Sequence, residues 1–127
     1  VEYGQAGIEP EIMGLGPVNA IANTLKKAHM SLNQIDCFEL NEAFAAQSLG
    51  VIKQLSEHHH VSQDWILERS NSNGGAIALG HPIGASDNRV VTTFVYELKR
   101  SKANIGLASL CIGGGMGTAV ILKRIGA

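Results

Sequence analysis

The chain has 127 residues, of which 45% are hydrophobic and 17% charged, and its formal net charge is −1. This composition is typical of one globular domain that is large enough to bury a core. A nearly neutral chain gives no electrostatic reason to expect nucleic acid or an anionic membrane as a partner. No apolar run is long enough to span a bilayer. The two cysteines suggest no disulfide framework and favour reduced thiols in a cytosolic-type protein.

The first half of the chain predicts two strands, each followed by a helix. Residues 1–8 could end a strand, and apolar residues at helical spacing follow Pro17 up to residue 29. A short alternating strand is predicted over 35–40. A second helix is predicted to begin at Glu42 and to run through residue 55.

The second half predicts two more strands around a helix and a final strand. Residues 67–73 could form a short strand, and an apolar stripe over 90–98 predicts a helix with basic residues at its end. Residues 105–110 and 116–125 predict two strands joined by a glycine turn. The order β-α-β-α-β-α-β-β predicts an α/β layered domain with a mixed five-stranded sheet and helices on both faces.

Residues 73–86 are a glycine-punctuated apolar stretch around one histidine, His81. Glycine allows close approach of the backbone to a ligand, and Pro82 fixes the chain just after the histidine. Histidine is the side chain that acts as an acid and a base near neutral pH. The stretch by itself also fits a turn with a hydrogen-bonded structural histidine.

Two further motifs favour a catalytic interpretation, NEAFA from Asn41 and CIGGGMG from Cys111. The glycines after Cys111 place a thiol beside bare backbone N–H groups, which can stabilise an oxyanion. Asparagine, histidine and cysteine in three separate turns can converge in space. Asn41 alone also fits a helix cap, with Glu42 suited to the helix dipole.

Together with MGLGP at 13–17, the stretches NEAFA, GGAIALGHPIGAS and CIGGGMG lie in one order that covers almost the whole chain. In that order they resemble the C-terminal half of the thiolases, the family of acetyl-CoA acetyltransferases and 3-ketoacyl-CoA thiolases. The resemblance implies a thiolase-like layered domain over residues 1–127. It also implies that the family's N-terminal half, with its nucleophilic cysteine, and its loop domain lie outside this chain.

The resemblance implies a role for each of four residues. Cys111 would exchange the proton at the substrate's alpha carbon, with a thiolate stabilised by nearby donors and by His81. His81 would activate the nucleophile and help to bind the thioester oxygen. Asn41, through a water, would complete that oxyanion hole, and the N–H of Gly113 would contribute to a second one.

Two more residues are implied to line the substrate pocket. Met13 would contact the substrate, although a methionine also fits a gap in the core. Phe44 would form a wall of the acyl pocket. Cys37, inside a predicted strand, is expected to be a small buried hydrophobe and not a substitute nucleophile.

No metal or bound cofactor is expected, and coenzyme A enters only as the thioester substrate. Adjacent histidines such as 58–60 point in different directions and make a poor metal site, so we expect a solvated surface there. The dinucleotide fingerprint GxGxxG after a strand is missing, which argues against a nicotinamide site.

The activity implied is reversible Claisen chemistry on CoA thioesters such as acetyl-CoA, acetoacetyl-CoA or longer 3-ketoacyl-CoA. The chain alone is predicted to be inactive, and the whole protein is expected to be a cytoplasmic homodimer or homotetramer, with an organelle left open. One alternative is a degenerate, non-catalytic module for assembly or acyl-CoA binding. Asp87, where thiolases have glycine, favours that alternative and makes local packing uncertain. A ketoacyl synthase relative is a third reading, which Cys111 disfavours.

Overall fold

The computed structural model describes residues 1–126, which form one mixed sheet with helices against it. The strands are β1 (Glu2–Gly7), β2 (Cys37–Leu40), β3 (Ile105–Gly113) and β4 (Met116–Lys123). The helices are α1 (Gly16–Ala28), α2 (Ala45–His59), α3 (Gln63–Leu67), α4 (Ala76–Leu79) and α5 (Ser86–Ser101). Two 3₁₀ turns, Pro10–Leu15 and Leu32–Gln34, complete the order.

The described sheet has four strands in the order β1-β4-β3-β2. β4 pairs antiparallel with both β1 and β3, whereas β2 and β3 are parallel. The parallel pair is connected by the long segment that contains α2 to α5, as a parallel connection requires. The predicted mixed sheet is therefore confirmed, and the predicted count of five strands is wrong.

The predicted strand over 67–73 is absent. A single β-bridge at Ser70 and the side-chain hydrogen bonds of Asn71 take its place. Leu67 ends α3, and Ser70 alone makes a parallel bridge with Phe38. The backbone of Asn71 then takes a positive φ of 51°, which turns the chain away from the sheet. Its side-chain amide donates to the carbonyl of Leu40 at 2.8 Å and accepts from the N–H of Leu40 at 2.9 Å. A side-chain amide has the same donor and acceptor as a peptide group, so it takes the place of the missing strand.

Helices cover both faces of the sheet, as predicted, because alternate strand residues point to opposite faces. On one face α1 and α2 enclose the larger core, which includes the strand residues Leu107 and Ile121. On the other face α5 packs Phe94 and Leu98 onto a smaller cluster that includes Cys37. The two cores place the ends of β2 and β3 between the helix layers.

The second helix begins three residues later than predicted. Phe44, with φ −149° and ψ 151°, is its extended N-cap residue, and α2 starts at Ala45. The interpretation of Asn41 as a cap for this helix is wrong, because the segment 41–44 is not helical. Asn41 is thereby free to face the histidine turn.

The histidine run at the end of α2 is only partly a solvated surface. His58 and His60 are exposed, but His59 is half-buried. Burial, and then the charges of the two neighbouring histidines, lower the pKa of His59. None of the helices within residues 1–126 combines the length and hydrophobicity that crossing a membrane requires.

Candidate active site

Two of the three motifs leave the sheet at the same edge because β2 and β3 are parallel. Leu40 lies opposite Ser109 in the register, so Asn41 follows β2 where β3 approaches Cys111. The N–H of Asn41 donates to the carbonyl of Ser109 at 3.0 Å, and its side chain is only 3% exposed. In sheets of this kind the carboxyl ends of parallel strands are where ligands bind.

The carboxylate of Glu42 joins the first motif to the histidine stretch. It accepts the N–H of Ile77 at 3.0 Å, at the start of α4, and the side-chain amide of Asn71 at 3.4 Å. A Cβ at Gly75 would lie 2.3 Å from this carboxylate, so any side chain at position 75 would displace the carboxylate from the two donors that it binds. Sequence reasoning assigned Glu42 only to a helix dipole and missed this contact. The helix does not begin at Glu42, so that assignment is wrong.

His81 is held at both ring nitrogens. Its Nδ1 faces the hydroxyl of Ser86, and that hydroxyl donates to the carbonyl of Pro82 at 3.2 Å. Since the hydroxyl proton is used in this way, the oxygen of Ser86 accepts from an Nδ1–H of His81. Nε2 then carries the lone pair, 3.4 Å from the side-chain nitrogen of Asn41. This tautomer is assigned from the hydrogen-bond network.

Cys111 lies near the end of β3, half-buried, where the pairing with β4 becomes irregular between Cys111 and Gly113. Burial raises the pKa of Cys111, and a backbone hydrogen bond at the same residue lowers it by less. Desolvation therefore outweighs this donor within the described chain, and a stabilised Cys111 thiolate stays a prediction. Gly113 has a φ of 107°, a conformation that favours glycine.

Five of the six predicted site residues line one cavity of about 710 Å³: Met13, Phe44, His81, Cys111 and Gly113. The sixth predicted residue, Asn41, reaches the site through its contact with His81. Phe44 is 68% exposed, so this wall of the cavity is open. The three motifs thus converge in the described chain, while the role of each residue stays a prediction.

The second cysteine is chemically remote from this arrangement. Cys37 is buried, as predicted, on the sheet face that α5 covers. Burial, and then the charges of Glu97, Asp36 and Glu39, raise its pKa to about 12. A thiol in that state is a poor nucleophile near neutral pH.

Asp87 creates no local crowding in the described chain. It lies in the first turn of α5 and is exposed to solvent. An acidic residue in a first turn is favourable for the helix dipole. The doubt that its sequence raised about packing beside His81 finds no support within residues 1–126.

Sequence reasoning missed two residues that contact the site, Ser86 and Arg89. Ser86 is buried at the start of α5 and bonds to His81, and the guanidinium of Arg89 reaches the amide oxygen of Asn41 at 3.5 Å. Their position just after the glycine-rich turn was the available signal. Among residues 1–126 no cluster of three metal-ligating side chains is present.

An imidazole, a thiol and a glycine backbone lie together at one cavity at the edge of a mixed α/β sheet, and acyl-transfer chemistry uses groups of these kinds. The sequence profile of the family described as "Thiolase, C-terminal domain" matches residues 1–124. The chain therefore belongs to the thiolase family.

Individual relatives agree with this assignment. The acetyl-CoA acetyltransferase of Pseudomonas aeruginosa is 54% identical over 122 residues, which are 96% of this chain and 29% of the relative. The acetyl-CoA acetyltransferase of Syntrophomonas wolfei superimposes with a TM-score of 0.90 at 41% identity, covering 98% of this chain and 31% of that one. Human mitochondrial 3-ketoacyl-CoA thiolase, solved in complex with CoA, gives a TM-score of 0.86 at 45% identity and covers 98% and 29%. The chain spans about 30% of the length of these relatives.

Proposed function

We propose that this chain supplies the proton-transfer half of an active site for reversible Claisen condensation and thiolysis of CoA thioesters. The observation that carries the proposal is the convergence of His81, Cys111 and Gly113 on one cavity, with Asn41 against His81. The relatives' names, acetyl-CoA acetyltransferase and 3-ketoacyl-CoA thiolase, support the substrate class.

The thiol that carries the acyl group lies outside this chain in our proposal. Cys37 is buried with a pKa raised to about 12, and it is absent from the residues that line the cavity. His81, with its lone pair on Nε2, takes the proton of that nucleophile as the thiol attacks the thioester carbonyl. Two donors then face the developing oxyanion. One is the side-chain N–H of Asn41, directly or through a water, and the other is the imidazole N–H that forms when Nε2 is protonated.

Cys111 exchanges the proton at carbon. In condensation the Cys111 thiol first gives its proton to the CoA thiolate that leaves the first thioester. The Cys111 thiolate so formed removes an alpha proton from a second acyl-CoA, the enolate attacks the bound acyl carbonyl, and the enzyme thiolate that leaves takes back its proton from His81. In thiolysis the Cys111 thiol returns a proton to the alpha carbon as the carbon–carbon bond breaks. Burial keeps the pKa of Cys111 raised, which suits a resting thiol that donates a proton. The N–H of Gly113 faces the second oxyanion.

The test uses the whole natural protein with Cys111→Ala and the matched control Cys37→Ala. We expect Cys111→Ala to abolish exchange of the acetyl-CoA methyl protons with deuterated water while acetyl transfer to the enzyme thiol persists. Cys37→Ala should retain both reactions. Unchanged condensation in Cys111→Ala would reject the catalytic role and support a non-catalytic module. Thiolysis of acetoacetyl-CoA by the 127-residue chain alone would reject the outside nucleophile.

We further propose that the whole protein assembles as a cytoplasmic homodimer or homotetramer. Exposed apolar side chains on α5, Val91, Val95 and Tyr96, support burial of that helix face against further protein. Light scattering of the whole protein tests the assembly, and a monomer would reject it.

A further inference from the structure

Arg89 is a half-buried cation beside the site, and two of its three guanidinium nitrogens make no hydrogen bond within residues 1–126. Its Nε and Nη1 atoms are buried and have no hydrogen-bond partner within residues 1–126. Its one side-chain hydrogen bond in the described chain joins Nη2 to the Oδ1 of Asn41 at 3.5 Å. Burying a guanidinium is costly, so its placement against a single amide needs a reason.

A buried acidic side chain, Glu39, lies on the strand that leads into the site. Glu39 is 2% exposed, precedes Asn41 by two residues and has one buried carboxylate oxygen without a partner. Burial raises the pKa of Glu39, the charge of Arg89 lowers it, and the charges of Glu97 and Glu42 raise it further. A buried acidic side chain and a half-buried basic one therefore interact electrostatically near Asn41.

The guanidinium decides which way the amide of Asn41 points. Arginine only donates hydrogen bonds. The guanidinium therefore favours the orientation in which the amide oxygen of Asn41 faces it and disfavours the one in which the NH₂ group does. With Oδ1 facing Arg89, Nδ2 faces Nε2 of His81. An amide nitrogen only donates, so Nε2 must offer a lone pair and the ring proton must lie on Nδ1, facing Ser86.

We propose that Arg89 is a positioning residue that, through the amide of Asn41, fixes the neutral tautomer of His81 with its proton on Nδ1. Without the guanidinium, the amide can turn its oxygen toward Nε2, and the Nε2–H tautomer then becomes favourable. That tautomer has no lone pair toward the cavity and cannot act there as a base. The tautomer of His81 does not depend on the proposed function. Only its catalytic consequence, that His81 can act as a base, rests on the function proposed above.

The test is nitrogen NMR of the whole natural protein with ¹⁵N-labelled histidine, recorded above the imidazole pKa. His81→Gln identifies the His81 signals among those of the other histidines. We expect Nδ1 to be the protonated nitrogen in the unchanged chain. Arg89→Met should abolish the dominance of this tautomer, Arg89→Lys should keep it, and the exposed control Lys99→Met should not alter it.

The same tautomer distribution in a folded Arg89→Met variant would overturn the proposal. If circular dichroism finds that variant unfolded, Asn41→Asp gives an independent measurement, because a carboxylate still pairs with Arg89 but has no N–H for His81. In the Asn41→Asp variant the ring proton of His81 should then move to Nε2. Retention of the Nδ1–H tautomer would reject the proposal that Arg89 acts on His81 through Asn41. Neither readout needs activity, so a failed tautomer test and a failed catalytic test are separate results.

Discussion

The side-chain nitrogen of Asn41 lies 3.4 Å from Nε2 of His81, although 40 positions separate the two residues in the sequence. Asn41 is buried against β3 by its backbone, whereas His81 stands on a loop between two helices. The contact therefore depends on the interactions that hold this loop against the edge of the sheet. The predictions below test that docking and its chemical result.

Replacing Asn41 by alanine should lower kcat of the whole protein by about 10²- to 10³-fold, the usual cost of one oxyanion donor. The reason is the loss of the N–H group that faces Nε2 of His81. Steady-state kinetics of acetoacetyl-CoA thiolysis give the measurement. The exposed Asn33→Ala serves as the control, and equal kcat values for the two variants would contradict the proposed role.

Adding a methyl group at Gly75 should destabilise the chain by about 1 to 3 kcal/mol, the usual cost of overpacking. The new Cβ would lie 2.3 Å from the carboxylate of Glu42. Urea denaturation measures the change, and Gly7→Ala, whose Cβ meets nothing closer than 4.0 Å, is the control.

A double-mutant cycle tests whether Glu42 causes this cost. In a Glu42→Ala background the clash at Gly75 is removed, so Gly75→Ala should cost less by about 0.5 to 3 kcal/mol. Additive free energies of unfolding would show that the two residues do not interact.

Removing the side chain of Asn71 should cost about 1 to 3 kcal/mol of unfolding free energy, because both polar backbone groups of Leu40 lose their partner. Asn71→Gly removes these two hydrogen bonds and the weaker one to Glu42 without steric strain, since glycine accepts the positive φ of 51°. Asn71→Ala should cost more, because alanine is strained in that conformation. Equal stability of Asn71→Gly and the unchanged chain would reject the strand-substitute role.

Glu39→Gln should stabilise the chain more at pH 8 than at pH 5. Burial raises the pKa of Glu39 to about 7 in the folded state, above its ordinary 4.5. Ionisation of Glu39 therefore lowers the stability of the folded chain. This loss begins as the pH rises above about 4.5 and is complete above about pH 7. At about 1.4 kcal/mol per pKa unit the full penalty is about 3 kcal/mol.

Glutamine does not ionise and so avoids this penalty. Comparison of urea unfolding at the two pH values, with the exposed Glu57→Gln as the control, gives the measurement. If Glu39→Gln raises the free energy of unfolding equally at pH 5 and pH 8, the pKa of Glu39 is not raised by burial.

The sequence by itself determined the family and pointed to the residues that meet at the candidate cavity. Three motifs supplied five of the six predicted residues, and the stretch MGLGP supplied Met13, because a bound reacting group demands specific side chains and bare glycine backbone. Period-2 and helical patterns likewise predicted the four strands and the helices on both faces of the sheet. These are local signals, and each can be read without knowing what lies across the fold.

Only the tertiary structure decided how those residues are held. The segment 67–73 has strand length, yet the side chain of Asn71 pairs with Leu40 and ends the sheet at four strands. Asn41 looks like a helix cap until the histidine turn approaches it, and Glu42 and Arg89 acquire their partners across more than 30 positions of the sequence. Such contacts depend on burial and on distances between separate elements, which a one-dimensional pattern does not contain.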